Sequence, residues 1–327
     1  MGNSNSIISG IQPTGDLHIG NYIGIFHNLY EIIKDPLYKK NDIFIFLADL
    51  HAMTIPNKNL KSKGIEIIKW ILSTKINGNL KIYFQSDITN ITKGYWFLST
   101  FTHMGEMNRM TQFKEKSELG NSNVGLYTYP ILMAADILYV NARFLGVGED
   151  QKQHLEITRD ISIRINNYFS RSIFTIPELL PLQTFRIKSL NNINKKMSKS
   201  NPDGCLFLKD DPKTIYNKIK KAITDKDTFP TNLEDLKKRP EAYNLGLIYS
   251  VIANISLQNV INKFSGYKWS VFKEELSGVV IHTLTNLQKN YKEISDEFVL
   301  QRTQKDIQYI NSIVDDNIKK TYNLMFQ

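Results

Sequence analysis

Strand-length apolar runs alternate with helical patterns over the first 190 residues, and this alternation constrains the fold more than any other feature. One run begins at Ile7 and ends at a glycine- and proline-rich turn, and Ile43–Leu47 forms a second run. Between them, Ile19, Ile23 and Phe26 recur at helical spacing. Strands separated by helices pair in parallel. The pattern therefore predicts an α/β fold, a parallel sheet with helices on both faces.

Beyond Pro202 the sequence shows few strand-like patterns. Apolar residues there recur at intervals of three and four residues, which is typical of helices. The chain therefore divides into an α/β domain, residues 1–190, with a connecting insertion near 105–128, and a helical domain, residues 191–327, that begins with a basic loop. Further predicted strands are Lys81–Gln85 and Phe144–Val147, and the predicted helices include Ile65–Ile76, Tyr95–Met104, Pro130–Val140, Gln151–Ile165, Thr214–Ile223, Glu241–Ile255, Val271–Asn290 and Ile294–Leu324.

Composition excludes several classes of protein. A chain of 327 residues that is 42% hydrophobic is neither disordered nor fibrous. Its net charge of +9 favours an anionic partner such as a nucleic acid or a nucleotide, with a merely solvated basic surface as the alternative. Cys205 is the only cysteine, which excludes an internal disulfide and a cysteine-based zinc cluster. No apolar stretch approaches the ~20 residues of a membrane span, so we expect a cytoplasmic protein with no membrane partner.

The turn after the first run has the spacing of a phosphate-binding P-loop, from Gly10 to Gly15. Asp16 and Leu17 stand where a P-loop needs lysine and serine or threonine, which excludes a P-loop NTPase. No Gly-x-Gly-x-x-Gly follows the first run, so a dinucleotide enzyme is also disfavoured.

The residues that follow, His18-Ile19-Gly20-Asn21, stand at the predicted start of a helix. Backbone N–H groups and the positive end of the helix dipole suit a polyphosphate at such a position. His18 can donate to a phosphate oxygen, and Gly20 has no side chain to block a stacked purine. The turn therefore predicts a nucleotide site built without a P-loop.

A second candidate segment, Lys195–Ser200, lies far downstream in a stretch of small polar residues. Its composition predicts a mobile loop. Lys196 and Lys199 in such a loop could reach phosphates that become more negative as pyrophosphate leaves. A basic loop alone is usually solvated surface, but the two segments together are specific.

The segments His18–Asn21 and Lys196–Ser200 resemble the paired HIGH and KMSKS signatures of the class I aminoacyl-tRNA synthetases. Further blocks resemble the tryptophanyl-tRNA synthetases of the bacterial type, and the resemblance fades after about Pro212. These blocks are Ser9–Pro13, Asp49–Ala52, Arg109–Ser117, Tyr129–Leu138 and Gly148–His154.

This resemblance implies a Rossmann-like catalytic domain and an α-helical C-terminal domain that binds the tRNA anticodon. It also implies ATP-dependent activation of L-tryptophan, transfer to tRNA(Trp), and a homodimer. Mg²⁺ would be carried by the nucleotide, since the histidines show no spacing typical of a metal site and no protein-bound metal is predicted.

The amino-acid pocket can also be derived from the residues. Tyr129, Met133 and Asp136 lie at i, i+4 and i+7, on one face of a helix. A carboxylate on an apolar stripe needs a donor, and an indole N–H is a donor with no acceptor. We expect Asp136 to accept from the indole while Met133 and Val147 pack on the ring; an Asp paired to backbone or arginine is the alternative.

Other roles rest on the resemblance and on the chemistry of adenylate formation. The resemblance implies that Ser9, His51 and Gln151 border the tryptophan pocket and that Gly148 and Asp150 approach the ATP ribose. Catalysis by positioning and charge stabilisation is expected from Gln12, His18, Asn21, Lys116, Lys196 and Lys199. ATP contacts are also expected from Gly20, Met197 and Ser198.

Three alternatives remain open from the sequence: a tyrosyl-type synthetase, which shares the fold; a catalytically silent RNA-binding paralogue; and a small-molecule adenylyltransferase. Ile8 and Asn201 depart from the family pattern, since an aromatic residue is usual at the first position and aspartate at the second.

Overall fold

The computed structural model describes residues 5–76, 78–111, 113, 123–146, 148, 151–180 and 185–326. Within them, the central sheet is parallel throughout and has the strand order β3-β2-β1-β4-β5. This confirms the predicted α/β class. The strands are β1 (Ile7–Ile11), β2 (Ile43–Leu47), β3 (Leu80–Phe84), β4 (Phe144–Leu145) and β5 (Glu178–Leu179).

Both faces of this sheet are buried. In β2, Ile43, Ile45 and Leu47 belong to one apolar cluster, whereas Phe44 and Phe46 belong to another. Alternate side chains of a strand point to opposite faces, so the two clusters are two cores, one on each side of the sheet. A strand buried on both faces needs a continuous apolar run, which explains the composition of β2.

The helices cover these two cores. A helical run from Ile19 to Lys34 has a π-helical centre at Tyr22–His27, which separates α1 (Ile19–Asn21) from α2 (Asn28–Lys34). The others, in chain order, are α3 (Asp49–Ala52), α4 (Leu60–Ser73), α5 (Ile91–Ser99), α6 (Met104–Met107), α7 (Val124–Tyr139), α8 (Lys152–Tyr168), α9 (Pro212–Lys220), α10 (Leu233–Lys238), α11 (Pro240–Ile252), α12 (Leu257–Phe264), α13 (Trp269–Glu293) and α14 (Asp296–Met325).

The order of the sheet determines where a ligand can bind. The strand order reverses at β1, because β2 pairs on one side of it and β4 on the other. Connections on either side of such a switch point leave in opposite directions, which opens a crevice at the carboxyl ends of the two strands. An antiparallel hairpin of β6 (Lys188–Ser189) and β7 (Asn192–Lys196) leads into the second basic segment.

The last helix, α14, returns to the sheet and covers the free edge of β3. Asp306 accepts a hydrogen bond from the backbone N–H of Ile82 at 2.9 Å, and Arg302 donates to the carbonyl oxygen of Leu80 at 2.7 Å. Arg302 also pairs with Asp306 at 2.5 Å. The helix therefore supplies the polar partners that a sixth strand would have supplied.

Several predicted boundaries are wrong, for local reasons. Pro130 was expected to open a helix, but α7 begins at Val124, where Asn123 caps it by accepting from the N–H of Leu126. Helix α5 begins four residues before Tyr95 and ends at Ser99. Lys196 was expected in a loop but is the last residue of β7.

Among the described residues, no single helix is both long and apolar enough to cross a membrane. Helices α11 and α12 have the length and apolar composition of a membrane span only if they are counted together, and the chain bends by 110° at the break between them.

Candidate active site

A cleft of about 1300 Å³ opens at the carboxyl ends of β1 and β4. Its walls bring together segments that lie far apart in the sequence. Every predicted site residue in the described part of the chain lines this cleft, except Asp136. These are Ser9, Gln12, His18, Gly20, Asn21, His51, Tyr129, Met133, Gly148, Gln151, Lys196, Met197, Ser198 and Lys199.

His18 caps the first helix of the site. Its Nδ1 accepts a hydrogen bond from the N–H of Gly20 at 3.1 Å, and the Asn21 side chain accepts from the His18 N–H at 3.1 Å. Because Nδ1 is an acceptor, the ring proton is on Nε2. The capping geometry therefore leaves Nε2–H as the donor available to a phosphate oxygen.

Burial and two nearby lysines keep the His18 ring neutral. Burial first, then the positive charges of Lys199 and Lys196, lower the pKa of His18 to about 4. Burial likewise lowers the pKa of Lys199, with Asp16 acting in the opposite direction. A helix N-terminus, an imidazole donor and two ammonium groups thus converge on one side of the cleft, which suits a polyphosphate.

The downstream lysine segment and the turn before His18 touch each other directly. The Lys199 ammonium donates to the carbonyl oxygen of Thr14, in the turn before His18. Gly15 has a φ of +63°, and a Cβ at this position would lie 3.0 Å from Cδ of Lys199. Only glycine fits a turn with both this backbone and this neighbour.

Backbone pairing holds the same segments in register. The N–H of Ile19 donates to the carbonyl of Leu206 at 2.8 Å, and the N–H of Leu208 donates to that of Leu17 at 2.9 Å. Met197 is buried, and its N–H donates to the carbonyl of Ile187 at 3.0 Å. The chain that follows the lysines is therefore attached to the first turn by main-chain hydrogen bonds, and Met197, between the lysines, is attached to Ile187.

The other end of the cleft has a polar network beneath an apolar wall. The Tyr129 hydroxyl lies 3.0 Å from Nε2 of His154, and Nδ1 of His154 lies 2.8 Å from Oε1 of Gln151. Ser9 donates to the carbonyl of Gly146 at 2.7 Å, so the ends of β1 and β4 are joined beside the cleft.

Asp136 occupies a different position from its predicted neighbours on α7. Tyr129, Met133 and Ile137 line the cleft, whereas Asp136 is only 4% exposed and is not part of the lining. Its Oδ2 accepts a hydrogen bond from Nε2 of Gln85 at 2.7 Å. Burial raises the pKa of Asp136 well above its ordinary value, and the Gln85 hydrogen bond opposes that rise. Its role as acceptor for an indole N–H stays a prediction.

Gln85 and His154 belong to the site but were not predicted. The one available signal for Gln85 was its position, a polar residue directly after the buried strand β3, where parallel strands carry functional groups. His154 closes the last resembling block. Lys116, Val147 and Asp150 lie outside the described residues.

The two departures from the family pattern are accommodated in different ways. Ile8 is 1% exposed and packs in the core on the side of the sheet away from Ile7. Asn201 and Asn191 exchange two hydrogen bonds through their amides, at 2.6 and 3.3 Å, and Asn201 also donates to Ser189. An aspartate at 201 could not donate to either neighbour.

The chain is similar to known proteins over almost its whole length. The family described as tRNA synthetases class I (W and Y) matches residues 2–296. The tryptophan–tRNA ligase of Caldanaerobacter subterraneus subsp. tengcongensis is 41% identical over 326 residues, covering 98% of this chain and 97% of the relative.

Solved structures of tryptophanyl-tRNA synthetases are similar to this chain in fold. The crystal structure of tryptophanyl-tRNA synthetase from Mycoplasma pneumoniae has a TM-score of 0.86 at 28% identity, covering 99% of this chain and 98% of that one. The Campylobacter jejuni tryptophanyl-tRNA synthetase complexed with ADP and tryptophan has a TM-score of 0.79 at 28% identity, and the match covers 98% of this chain and 100% of that one. Together with the α/β fold and the two converging segments, His18–Asn21 and Lys196–Ser200, these similarities show that the chain belongs to the tryptophanyl-tRNA synthetase family of class I aminoacyl-tRNA synthetases.

Proposed function

We propose that this protein charges tRNA(Trp) with L-tryptophan in two steps at the expense of ATP. In the first, a carboxylate oxygen of tryptophan attacks the α-phosphorus of ATP, and the bond from that phosphorus to the α,β-bridging oxygen breaks, so that the β- and γ-phosphates leave as pyrophosphate. In the second, a ribose hydroxyl at the tRNA 3′ end attacks the adenylate carbonyl and AMP leaves. Neither step needs a protein nucleophile, so catalysis consists of positioning and charge stabilisation.

The basic end of the cleft would hold the triphosphate. Nε2–H of His18 and the ammonium groups of Lys196 and Lys199 supply donors and positive charge where negative charge grows on the leaving pyrophosphate. Gln12 and Asn21 line the same end, and we assign Lys116, Gly148 and Asp150 to the nucleotide from the family resemblance. Met197 and Ser198 would lie against the nucleotide as the segment that contains them closes over it.

Magnesium would arrive bound to ATP. Within the described part of the chain, no three His, Cys, Asp or Glu side chains gather as a metal site. The donors at the phosphate end are ammonium, imidazole and backbone N–H groups, which bind phosphate oxygens and not a cation. The metal would neutralise phosphate charge while the lysines hold the same phosphates.

The opposite end of the cleft would hold tryptophan, and Asp136 carries this assignment. One of its oxygens is held by Gln85, and the other, Oδ1, accepts no hydrogen bond from the described residues. A buried carboxylate with an oxygen still available suits a single buried donor such as an indole N–H. Tyr129 and Met133 line the cleft beside it, and we place Ser9, His51, Val147 and Gln151 around the same ligand.

The same site would favour tryptophan over phenylalanine. A phenyl ring would leave the buried Asp136 oxygen without a donor, which costs far more than losing a methylene group. A site of this kind can reject phenylalanine without a separate editing step.

The proposal is tested by measuring the exchange of labelled pyrophosphate into ATP with each of the twenty amino acids in turn. We expect exchange with L-tryptophan alone. Exchange with tyrosine would indicate a tyrosyl-type enzyme, exchange with none a silent RNA-binding paralogue, and turnover on another acid without tRNA an adenylyltransferase. Charging of tRNA(Trp) would then test the second step.

We also propose a homodimer and place the anticodon contact in the helical part, residues 191–327. Sedimentation velocity should give a species of twice the 37.8 kDa chain mass. Footprinting of tRNA(Trp) should show anticodon protection that is lost on charge reversal in the helical part.

A further inference from the structure

Gln85 is the most deeply buried polar side chain near the tryptophan end of the cleft. It follows β3 directly and begins a short 3₁₀ turn, Gln85–Asp87, and its exposed fraction is 0%. An amide at such a position must have all its polar atoms paired. Its partners are therefore informative about why the side chain is there.

The Gln85 amide joins Asp136 to His51. Its Nε2 lies 2.7 Å from Oδ2 of Asp136, and its Oε1 lies 3.0 Å from Nδ1 of His51 and 3.4 Å from the His51 backbone nitrogen. Nε2 donates to Oδ2, so the NH₂ group faces Asp136. The carbonyl oxygen then faces His51, which places a proton on Nδ1 of that ring.

Several charged or titratable groups surround the Asp136 carboxylate. Burial raises the pKa of Asp136, and the negative charge of Asp49 raises it further. Nδ1 of His51 lies 3.9 Å from Oδ2, and Asp136 in turn helps to raise the pKa of the buried Tyr83. The Gln85 N–H is the neighbour that lowers the pKa of Asp136 by hydrogen bonding.

We propose that Gln85 is a positioning residue for amino-acid selection. It holds Oδ2 of Asp136 so that Oδ1 is the oxygen left for the indole N–H, and it fixes the orientation of His51 on the cleft wall. The inference rests on the proposed function, because it assigns to Gln85 the support of the group that recognises the indole.

The test compares two substrates that differ at one atom. L-Tryptophan donates through its indole N–H, whereas L-3-benzothienylalanine has sulfur in that position and donates nothing. We expect Gln85→Met, which keeps the length and loses the amide, to lower kcat/KM in pyrophosphate exchange for tryptophan about 10- to 100-fold, mainly through KM. The value for benzothienylalanine should change less than about threefold, since that substrate never used the Asp136 oxygen.

A matched control removes a similar amide elsewhere. Asn166 donates to the carbonyl of Phe174 at 2.9 Å and accepts from the N–H of Ile173 at 2.8 Å, away from the cleft. Asn166→Leu should lower thermal stability while leaving the ratio of the two kcat/KM values unchanged. A parallel fall for both substrates in Gln85→Met would reduce Gln85 to a structural role and overturn the proposal.

A second variant keeps the test decisive if Gln85→Met does not fold. In Gln85→Glu the new carboxyl can donate to Asp136 only while protonated, and two adjacent carboxyl groups share one proton. Tryptophan selection in this variant should recover as the pH falls from 8 to 6, whereas benzothienylalanine exchange should not follow. A ratio independent of pH would overturn the proposal.

Different results would contradict the proposed function and the role of Gln85. If the unaltered protein exchanges pyrophosphate with no amino acid, the proposed function is wrong. If it activates tryptophan and discriminates against benzothienylalanine, yet both Gln85 variants keep the same ratio, the function stands and the role of Gln85 is wrong.

Discussion

The ammonium group of Lys199 donates a hydrogen bond to the carbonyl oxygen of Thr14, 185 residues earlier in the chain. The contact joins the downstream basic segment to the turn before His18, so the two segments meet directly. In the proposed reaction, the ammonium group would exchange this neutral carbonyl for phosphate oxygens of ATP, whose charge grows as pyrophosphate leaves. A contact that strengthens during the reaction accelerates the chemical step more than it strengthens binding.

Replacing Lys199 with alanine tests this reasoning. We expect Lys199→Ala to lower kcat for tryptophan-dependent pyrophosphate exchange about 10²–10³-fold, the range for removing one preorganised charge contact. The KM for ATP should change much less. Lys195→Ala is the matched control, because Lys195 is exposed in the same segment, and it should retain nearly full activity. An effect of Lys199→Ala on KM alone would contradict the closing role of this segment.

Gly15 provides a test that leaves every charge in place. Gly15→Ala forces a Cβ into a backbone with a φ of +63° and to 3.0 Å from Cδ of Lys199. The strain of about 1–2 kcal/mol should displace either the turn or the lysine. We expect a lower kcat with an unchanged KM for tryptophan.

The control for Gly15 is a glycine with room around it. Gly278 lies within α13, and a Cβ there would meet no atom within 4 Å. Gly278→Ala should raise the free energy of unfolding by about 0.5–1 kcal/mol, because alanine loses less conformational freedom in a helix. Equal behaviour of the two variants in urea denaturation and in exchange kinetics would refute the special role of Gly15.

Local patterns determined how much could be predicted. Strand β2 matches its predicted bounds because both of its faces are buried, which requires an unbroken apolar run. The turn and the helix start around His18 were also predictable, since they depend on consecutive residues. The partners of Asp136 and Tyr129 were not, because Gln85 and His154 lie 51 and 25 residues away from them and depend on how strands and helices pack.

Short elements were missed for a related reason. Strand β5 has two residues, and β7 carries lysines and asparagines on an exposed hairpin, so neither has an apolar periodicity. The contact of α14 with the sheet edge could not be predicted from the sequence either. Arg302 and Asp306 have the i, i+4 spacing of an ordinary salt bridge on a helix surface.

The lowered pKa of His18 predicts a pH dependence of stability. The pKa is about 4 in the folded protein and 6.5 for an unperturbed imidazole. Between these values the unfolded chain binds more protons than the folded chain. The free energy of unfolding should therefore fall as the pH drops from 6.5 towards 4, by up to about 1.4 kcal/mol per pH unit from this group.

Substitution with asparagine isolates the contribution of His18. Asparagine is a good N-cap and does not titrate, so His18→Asn should keep the start of the helix and flatten the pH dependence. Urea denaturation at pH 7, 6, 5 and 4 measures the difference in slope between the two proteins. Identical slopes would mean that the ring is not held neutral in the folded state.

At the edge of the sheet, Asp306 links the C-terminal helix to β3. Asp306→Ala removes the acceptor of the Ile82 N–H and the partner of Arg302 together. A buried donor left unpaired should lower the free energy of unfolding by about 2–3 kcal/mol. The KM for tryptophan should stay unchanged, since Asp306 does not line the cleft.

Asp315 is the matched control on the same helix. It is exposed and accepts from the Asn90 side chain at 2.7 Å, so Asp315→Ala should cost less than about 0.5 kcal/mol. A single cooperative unfolding transition in both variants would indicate that the α/β part and α14 unfold as one unit. If the Asp306→Ala and Asp315→Ala variants have the same free energy of unfolding, α14 covers the edge of the sheet without stabilising it.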